Sequence, residues 1–194
     1  MVKLNRIYTR TGDDGTTGLT AGPRRLKSDL RIATYGTIDE ANAALGMARA
    51  AATLDPALDA MLARIQNDLF DLGADLATPE TAEPLGWEPL RITQAQVNRL
   101  EAEIDAMNAS IPPLKSFVLP GGRPAAAALH LARTIVRRAE RLMVDLVRVD
   151  GETVSTEAMR YVNRLSDHLF VAARAVNDNG AADVLWVPGA NRQA

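Results

Sequence analysis

Apolar residues recur every three or four positions in five separate stretches of this 194-residue chain. That spacing places the apolar side chains on one face of an α-helix, so the pattern predicts five amphipathic helices. The apolar positions are Ile38, Ala41, Leu45 and Ala48 in the first stretch; Leu58, Met61, Leu62, Ile65, Leu69, Leu72 and Leu76 in the second; Val97, Leu100, Ile104 and Met107 in the third; Leu129, Ala132, Ile135, Val136, Ala139, Leu142, Met143 and Leu146 in the fourth; and Val162, Leu165, Leu169, Ala172, Ala173 and Val176 in the fifth.

Local signals mark the ends of these helices. Pro56 and Pro124 suit the first turn of a helix, where a backbone N–H has no partner to lose. Thr93 with Gln96 fits a capping box, and Gly180 is a suitable stop after the fifth helix. The predicted helices start at about residue 28 and at residue 56, and then span residues 93–108, 124–149 and 155–177.

Short connections between helices of this length predict an all-α fold, a five-helix up-and-down bundle of the ferritin-like class. Residues 1–27 read as an N-terminal loop or arm, residues 28–180 as the bundle, and residues 181–194 as a C-terminal tail, together a single domain. Strand-like apolar stretches occur only near Val118 and at residues 184–187.

Composition narrows the functional classes. The chain is long enough for one real core, and 47% apolar residues is too many for a disordered protein. A net charge of -2 gives no reason to expect nucleic acid or an anionic membrane as partner. The absence of cysteine excludes disulfides and thiolate chemistry. With no secretory signal and no membrane-spanning stretch in the sequence, we expect a cytoplasmic protein.

Residues 9–18 form a loop rich in glycine and threonine. Glycines let successive backbone N–H groups approach an anion, and the hydroxyls add donors, so the loop is suited to wrap phosphates. It is not a Walker A loop, because the required glycine and lysine spacing is absent. Asp13 and Asp14 would repel phosphate unless a divalent cation lies between them. The alternative is a turn-rich tail with no ligand.

The fourth predicted helix carries several arginines. Arg133, Arg137 and Arg141 are spaced by four residues and project from nearly one face, with Arg138 one step around the helix. Guanidinium groups fork onto phosphate oxygens, and Glu140 is placed to hold an arginine or accept a sugar hydroxyl. The alternative is an ordinary solvated face with ion pairs.

Other polar residues have weaker signals. Asn163 and Asp167 share a face of the fifth helix, and we expect them to pair with the arginines of the fourth. His130 and His168 lack any metal-binding pattern and are expected to be surface or satisfied interior residues. Phe117 begins a segment that ends in Pro-Gly-Gly at the start of a helix, and it stands out in a chain with 4% aromatic residues. The alternative is an ordinary core phenylalanine.

Five segments in this order resemble the PduO-type ATP:cob(I)alamin adenosyltransferases. They are residues 8–15 (YTRTGDDG), 35–42 (YGTIDEAN), 117–122 (FVLPGG), 129–141 (LHLARTIVRRAER) and 161–170 (YVNRLSDHLF). Two positions depart from the family's usual pattern. Asp14 stands where lysine is frequent, which makes the loop less basic, and it is assigned no phosphate contact. His168 stands where tyrosine is frequent and is assigned no role.

The resemblance implies a homotrimer with active sites between adjacent subunits, and it implies roles for individual residues. Phe117 would lie on the lower face of the corrin, Arg133 would pair with Asp39 across the subunit interface, and Arg137 would act on the triphosphate. Magnesium would accompany the phosphates, with Glu140 as a candidate ligand. The implied ATP-binding residues are Thr9, Arg10, Thr11, Gly12, Asp13, Gly15, Thr16, Lys27, Arg137, Arg138, Glu140, Arg141 and Asn163.

The implied reaction transfers the 5′-deoxyadenosyl group of ATP to cob(I)alamin. It needs no side-chain nucleophile, which is compatible with a chain that lacks cysteine. Implied partners are a flavin reductase and an adenosylcobalamin-dependent enzyme. The rival hypotheses are a non-catalytic ATP sensor or cobalamin carrier, and a structural bundle that binds no ligand.

Overall fold

A computed structural model of the chain describes residues 7–51, 54–81 and 84–192. Five α-helices make up most of this structure, as the apolar spacing predicts. They are α1 (Leu30–Ala50), α2 (Pro56–Leu76), α3 (Gln94–Asn108), α4 (Pro124–Leu146) and α5 (Thr156–Val176). The predicted calls on residues 1–6 and 193–194 lie outside the described residues.

Side chains just before the helices fix where they begin. Asp29 accepts a hydrogen bond from the Arg31 N–H at the start of α1, and Ser155 accepts one from the Ala158 N–H at the start of α5. The Thr93 N–H donates to Gln96 at 2.9 Å, so the predicted capping interaction is present at α3. These bonds satisfy backbone donors that would otherwise have no partner within the helix.

Helix α4 ends at Leu146, earlier than the predicted end near Val149. The amide N–H of Arg148 donates to Asp145 and that of Val149 donates to Leu146, which are tight turns and not helical bonds. Gly151 then adopts a positive φ of 80°, a conformation that reverses the chain before α5.

The core lies where α4 packs between α1 and α5, with α2 against α1 and α3 against α5. Alanines are buried where these helices approach most closely, since a small side chain allows a short distance between helix axes. They include Ala41, Ala44, Ala48, Ala126, Ala132, Ala139, Ala158, Ala172 and Ala173. No helix in the described part of the chain is long and apolar enough to cross a membrane.

Two small pieces of β-structure lie outside the bundle. Strand β1 (Thr16–Thr17) pairs antiparallel with β2 (Arg25–Leu26), which gives the N-terminal loop a hairpin that its sequence does not predict. Val118 forms an antiparallel bridge with Leu185. The two strand-like stretches noted in the sequence therefore pair with each other.

Candidate active site

The N-terminal loop is shaped by its own polar side chains. The Asp14 carboxylate accepts hydrogen bonds from the Thr16 N–H at 2.9 Å and the Thr16 hydroxyl at 2.7 Å. These bonds lower the pKa of the exposed Asp14, the hydroxyl having the larger effect. Gly15 follows with a φ of 82°. Asp14 thus shapes the loop through its bonds to Thr16, which agrees with its omission from the predicted phosphate-binding residues.

Two cations join the two sides of this loop. Arg24 donates to the Thr11 carbonyl oxygen at 2.6 Å and to the Thr16 hydroxyl at 3.0 Å. The Lys27 ammonium donates to the Gly12 carbonyl oxygen at 2.8 Å. A Cβ at Gly12 would lie 3.1 Å from Lys27 Nζ, so glycine suits this close approach. Arg24 has no counterpart among the predicted site residues, because nothing in its spacing indicates that it folds back across the loop.

Residues 9–13 of the loop are also hydrogen-bonded to one another. The Thr9 and Thr11 hydroxyls are hydrogen-bonded at 2.9 Å, and Arg10 has a φ of 63°. The Asp13 N–H donates to the Arg10 carbonyl oxygen at 3.4 Å. The predicted phosphate-binding residues 9–16 therefore form one compact turn.

Glu152 anchors the hairpin to the bundle. It accepts a hydrogen bond from Arg25 on β2 and one from Arg31 Nε on α1 at 2.8 Å. Arg31 is fully buried and also donates to the Leu76 and Thr153 carbonyl oxygens. Burial by itself raises the pKa of Glu152, but the hydrogen bonds from the two arginines outweigh it, and the pKa is lowered. The base of the loop is thus tied to the α4–α5 connection.

The arginines of α4 have different surroundings. Arg137 and Arg141 are exposed, and Arg141 donates to the Arg137 carbonyl oxygen at 3.2 Å. Within the described part of the chain the Arg137 guanidinium has no carboxylate partner. Arg138 is paired with Glu40 of α1. The exposed face therefore presents at least one arginine free to receive an anion.

Arg133 is partly withdrawn from that face. Its guanidinium lies 6.0 Å from the centre of the Phe170 ring, and its Nε is buried with no hydrogen-bond partner among the described residues. Burial lowers the pKa of Arg133, and the charge of Arg137 lowers it further. Asp39, its predicted partner, is exposed on α1 beside an open groove lined by Tyr35 and Phe70. The two side chains do not pair within this chain.

Asn163 pairs with an acid on α4 and accepts a hydrogen bond from Arg164 of its own helix at 3.1 Å, but it contacts no arginine of α4. Its amide donates to Glu140 Oε1 at 2.8 Å. Asp167 lies 3.7 Å from Arg164 on its own helix. The expected pairing of Asn163 and Asp167 with the arginines of α4 is therefore wrong in the structure. Arg137, Arg138 and Arg141 are exposed, and Glu140 is the residue of α4 that binds Asn163.

The two histidines are both buried. His168 is the interior residue that was expected, but it is only half satisfied: Nε2 lies 3.0 Å from Glu103, while Nδ1 is buried without a partner among the described residues. His130 does not match that expectation, because both its ring nitrogens lack a partner among the described residues. It packs edge-on to Phe170 at 6.1 Å. Burial lowers the pKa of His130, and the charge of Arg133 adds to this effect.

Phe117 is 76% exposed on the segment between α3 and α4. This segment is paired with the chain after α5: the Leu119 N–H donates to the Val184 carbonyl oxygen, and the Trp186 N–H to that of Phe117, both at 2.8 Å. The Phe117 and Trp186 rings lie 5.9 Å apart. Together they make an exposed aromatic surface, and Trp186 is a member of it that the sequence did not reveal.

The residues predicted to bind phosphate form two groups, one in the N-terminal loop and one on α4. None of the described loop residues 9–18 is hydrogen-bonded to α4 or α5. The described residues also hold no group of three or more His, Cys, Asp or Glu side chains placed to bind a metal ion. The loop and the arginines of α4 are therefore not joined by hydrogen bonds within the described part of the chain.

Comparison with known proteins gives a consistent result. The sequence model of a family described as cobalamin adenosyltransferase matches residues 7–176. The chain is 54% identical over 193 residues to the corrinoid adenosyltransferase of Mycobacterium tuberculosis, covering 100% of this chain and 98% of the relative. It is 46% identical over 183 residues to that of Bacillus subtilis, covering 92% and 91%.

Solved structures show the same relationship. A variant PduO-type ATP:corrinoid adenosyltransferase from Lactobacillus reuteri, complexed with cobalamin and ATP, superposes with a TM-score of 0.82 at 38% identity, covering 93% of this chain and 99% of that one. Another variant of that enzyme, complexed with ATP, gives a TM-score of 0.80 at 38% identity, covering 93% and 100%.

Proposed function

This chain belongs to the cobalamin adenosyltransferase family, and from that premise we propose that it transfers the 5′-deoxyadenosyl group of ATP to cob(I)alamin. The resemblance carried by the five sequence segments is thereby confirmed. The observation that carries the proposal is structural. One chain holds a hydroxyl-rich loop, an exposed arginine on α4 with no carboxylate partner among the described residues, and an exposed aromatic surface around Phe117. A triphosphate, a nucleoside and a corrin need these three surfaces.

The reaction requires little covalent help from the protein. Cobalt(I) attacks the 5′ carbon of ATP, the Co–C bond forms as the C–O bond breaks, and triphosphate leaves with the bonding electron pair. The protein must align the two substrates and neutralise the leaving group. Arg137, with Arg138 and Arg141 beside it, is suited to the triphosphate because guanidinium is permanently charged and binds phosphate oxygens through two donors.

The N-terminal loop is proposed to hold the nucleotide. Its residues Thr9, Thr11, Gly12, Gly15 and Thr16 lie close together in the loop. In this structure the Thr16 hydroxyl and N–H are bound to Asp14 and the Gly15 N–H to the Gly12 carbonyl oxygen, so phosphate would have to take over these donors. Lys27 adds a positive charge that contacts Gly12 in this structure. Glu140 and Asn163, already hydrogen-bonded to each other, lie beside the arginines of α4 and would add polar contacts to the proposed nucleotide site.

Phe117 is proposed to contact the lower face of the corrin. An exposed phenylalanine is costly to hydrate and gains stability when a flat apolar ligand covers it. Covering that side of the corrin would keep an axial ligand away from cobalt, which favours the reduced metal. A protein that only bound ATP would gain nothing from this ring.

A homotrimer would bring the separate groups together. In that arrangement the loop of one subunit would face α4 of its neighbour, and Arg133 would meet Asp39 across the interface. Support comes from Arg133, whose Nε is buried without a partner among the described residues, and from Asp39, which is exposed. Exposed Phe70, beside Asp39, would be covered by the same contact.

Magnesium is proposed as the companion of the triphosphate, where it would supply charge neutralisation. Since the described side chains form no metal cluster of their own, the phosphate oxygens would provide most ligands. Glu140 has one carboxylate oxygen engaged by Asn163 and is the candidate protein ligand. A reductase, an acceptor enzyme and a cytoplasmic location stay predictions from the sequence.

The decisive test is a spectral assay. Purified protein, ATP, magnesium and chemically reduced cob(I)alamin should give light-sensitive adenosylcobalamin, and omission of either ATP or protein should abolish it. ATP binding without any product would instead favour the sensor or carrier hypothesis. Absence of binding to both ligands would favour a structural bundle.

A further inference from the structure

We infer that Asn177, at the end of α5, is a positioning residue that fixes the Phe117 segment. Here the Phe117 segment means residues 112–122, and the C-terminal segment means residues 183–187. This inference rests on the proposed corrin-binding role of Phe117. Asn177 does not reach the corrin surface itself, and its effect is exerted through the backbone that carries the phenylalanine.

The Phe117 segment has no helix of its own to define its shape. Its backbone bonds run to the C-terminal segment, through Leu119 and Trp186. The Ser116 hydroxyl adds a bond to the Trp186 carbonyl oxygen at 2.6 Å. If the Phe117 segment and the C-terminal segment were bonded only to each other, they could move together relative to the helices. The position of Phe117 therefore depends on the contacts that connect these two segments to the bundle.

Asn177 supplies that tie. Its side chain is completely buried. Its Oδ1 accepts a hydrogen bond from the Arg123 N–H at 3.0 Å, just before α4. Its Nδ2 donates to the Gly121 carbonyl oxygen at 3.3 Å and to Asp183 Oδ1 at 3.2 Å. One amide therefore joins the end of the Phe117 segment, the start of α4 and the root of the C-terminal segment.

Two neighbouring groups strengthen this connection. Arg174 donates to Asp183 at 2.8 Å and to the Pro112 carbonyl oxygen at 2.9 Å, and so holds the other end of the Phe117 segment. Gly122 has a φ of 92°, and a Cβ there would lie 2.4 Å from the Asn177 amide. The turn thus packs directly on Asn177, which leaves no room for a side chain at residue 122.

The chemistry requires asparagine at this position. Aspartate has the same length but no donor, and it would place a second carboxylate beside Asp183. Alanine would leave the Arg123 N–H and an oxygen of Asp183 without partners in a buried site. The helices do not depend on these hydrogen bonds. We therefore expect their loss to displace the Phe117 segment and to leave the helices folded.

The test uses Asn177→Ala in a Trp87→Phe background, where Trp186 is the remaining tryptophan of the two in the chain. We expect red-shifted Trp186 emission and stronger acrylamide quenching in the free protein. We also expect kcat to fall roughly 10- to 100-fold while KM for ATP stays unchanged, because a small misplacement affects alignment and not nucleotide binding. The matched control is Asp178→Asn, which changes the adjacent exposed carboxylate that pairs with the Arg123 side chain.

Unchanged Trp186 emission in folded Asn177→Ala overturns the inference, and so does equal damage to kcat and to KM for ATP. Asp183→Asn keeps the side-chain volume and tests the same tie if Asn177→Ala does not fold; native emission and turnover in that variant are again contrary. If the parent protein makes no adenosylcobalamin, the proposed function fails, yet the emission measurement still decides whether Asn177 positions the segment.

Discussion

Two individual side chains, Phe117 and Arg137, distinguish the proposed corrin surface from the proposed ATP surface. Phe117 is largely exposed although it is apolar, while Arg137 is exposed and has no carboxylate partner among the described residues. In the free chain Phe117 exposes apolar surface to water and Arg137 has no carboxylate to neutralise its charge. A bound ligand would cover the first and neutralise the second. The two residues therefore allow the corrin and ATP sides of the site to be tested separately.

Replacement of Phe117 by alanine should affect chemistry and leave ATP binding alone. We expect KM for ATP to change by no more than about twofold and turnover to fall about 100-fold, because corrin alignment is lost and nucleotide contacts are kept. Steady-state adenosylation at varied ATP measures both. Leu114→Ala removes another exposed apolar side chain of the same segment as a control. Unchanged turnover in Phe117→Ala would remove the residue from the mechanism.

Replacement of Arg137 by alanine should act on ATP. Loss of a charge-assisted contact to phosphate should raise KM for ATP roughly 10- to 100-fold. The control is Arg160→Ala, an exposed arginine that instead donates to Gln94 on α3 at 3.2 Å. An ATP titration identical to that of the parent protein would contradict the assignment.

At the scale of elements, the N-terminal hairpin depends on Glu152 as its link to the helices. Hydrogen bonds from Arg25 and Arg31 keep the pKa of Glu152 below its ordinary value despite burial. A carboxylate whose pKa is lower in the folded state contributes stability above its unfolded pKa of about 4.3, and this is lost as pH falls through the folded value. Acid should therefore loosen the hairpin.

Glu152→Gln tests this link. It should lower the free energy of unfolding at pH 7 by about 1–3 kcal/mol, since Arg31 is left buried without its carboxylate, and the loss should shrink as pH falls below 4. Urea unfolding between pH 7 and pH 3.5 measures both effects. Glu101→Gln alters an exposed ion pair with Arg164 and should change stability little. A loss that stays constant across this pH range would count against the charge argument.

The helices were predictable because a repeating apolar stripe is a local property of sequence, and the side chains that begin them lie within three residues of the bonds they make. The anchors were not predictable. Glu152 meets Arg31 only after the chain has crossed the bundle, and Asn177 meets Gly121 in the same way. The sequence around Glu152 or Asn177 contains no pattern that indicates such a distant partner. The N-terminal loop and the arginines of α4 were predictable because each is a local motif.

At the scale of the whole molecule, assembly is the main prediction. If the proposed trimer forms, Arg133→Ala or Asp39→Asn should each weaken it, and the exchange Arg133→Asp with Asp39→Arg should restore part of the association. Sedimentation velocity across a dilution series measures this. Glu101→Ala, which breaks an ion pair within one chain, serves as control. An intact and fully active trimer in both single variants would show that the pair does not bridge subunits.

The bridge between Val118 and Leu185 has a consequence for the order of folding. Its two partners are separated in sequence by the whole of α4 and α5, so closing that long loop is entropically unfavourable until the two helices have packed. We therefore expect the aromatic surface to form after α4 and α5 have packed and to open before they do. The amides of Leu119 and Trp186 should exchange with deuterium well before those inside α4. A corrin that covers Phe117 should slow this exchange, because it would stabilise the paired state of the two segments.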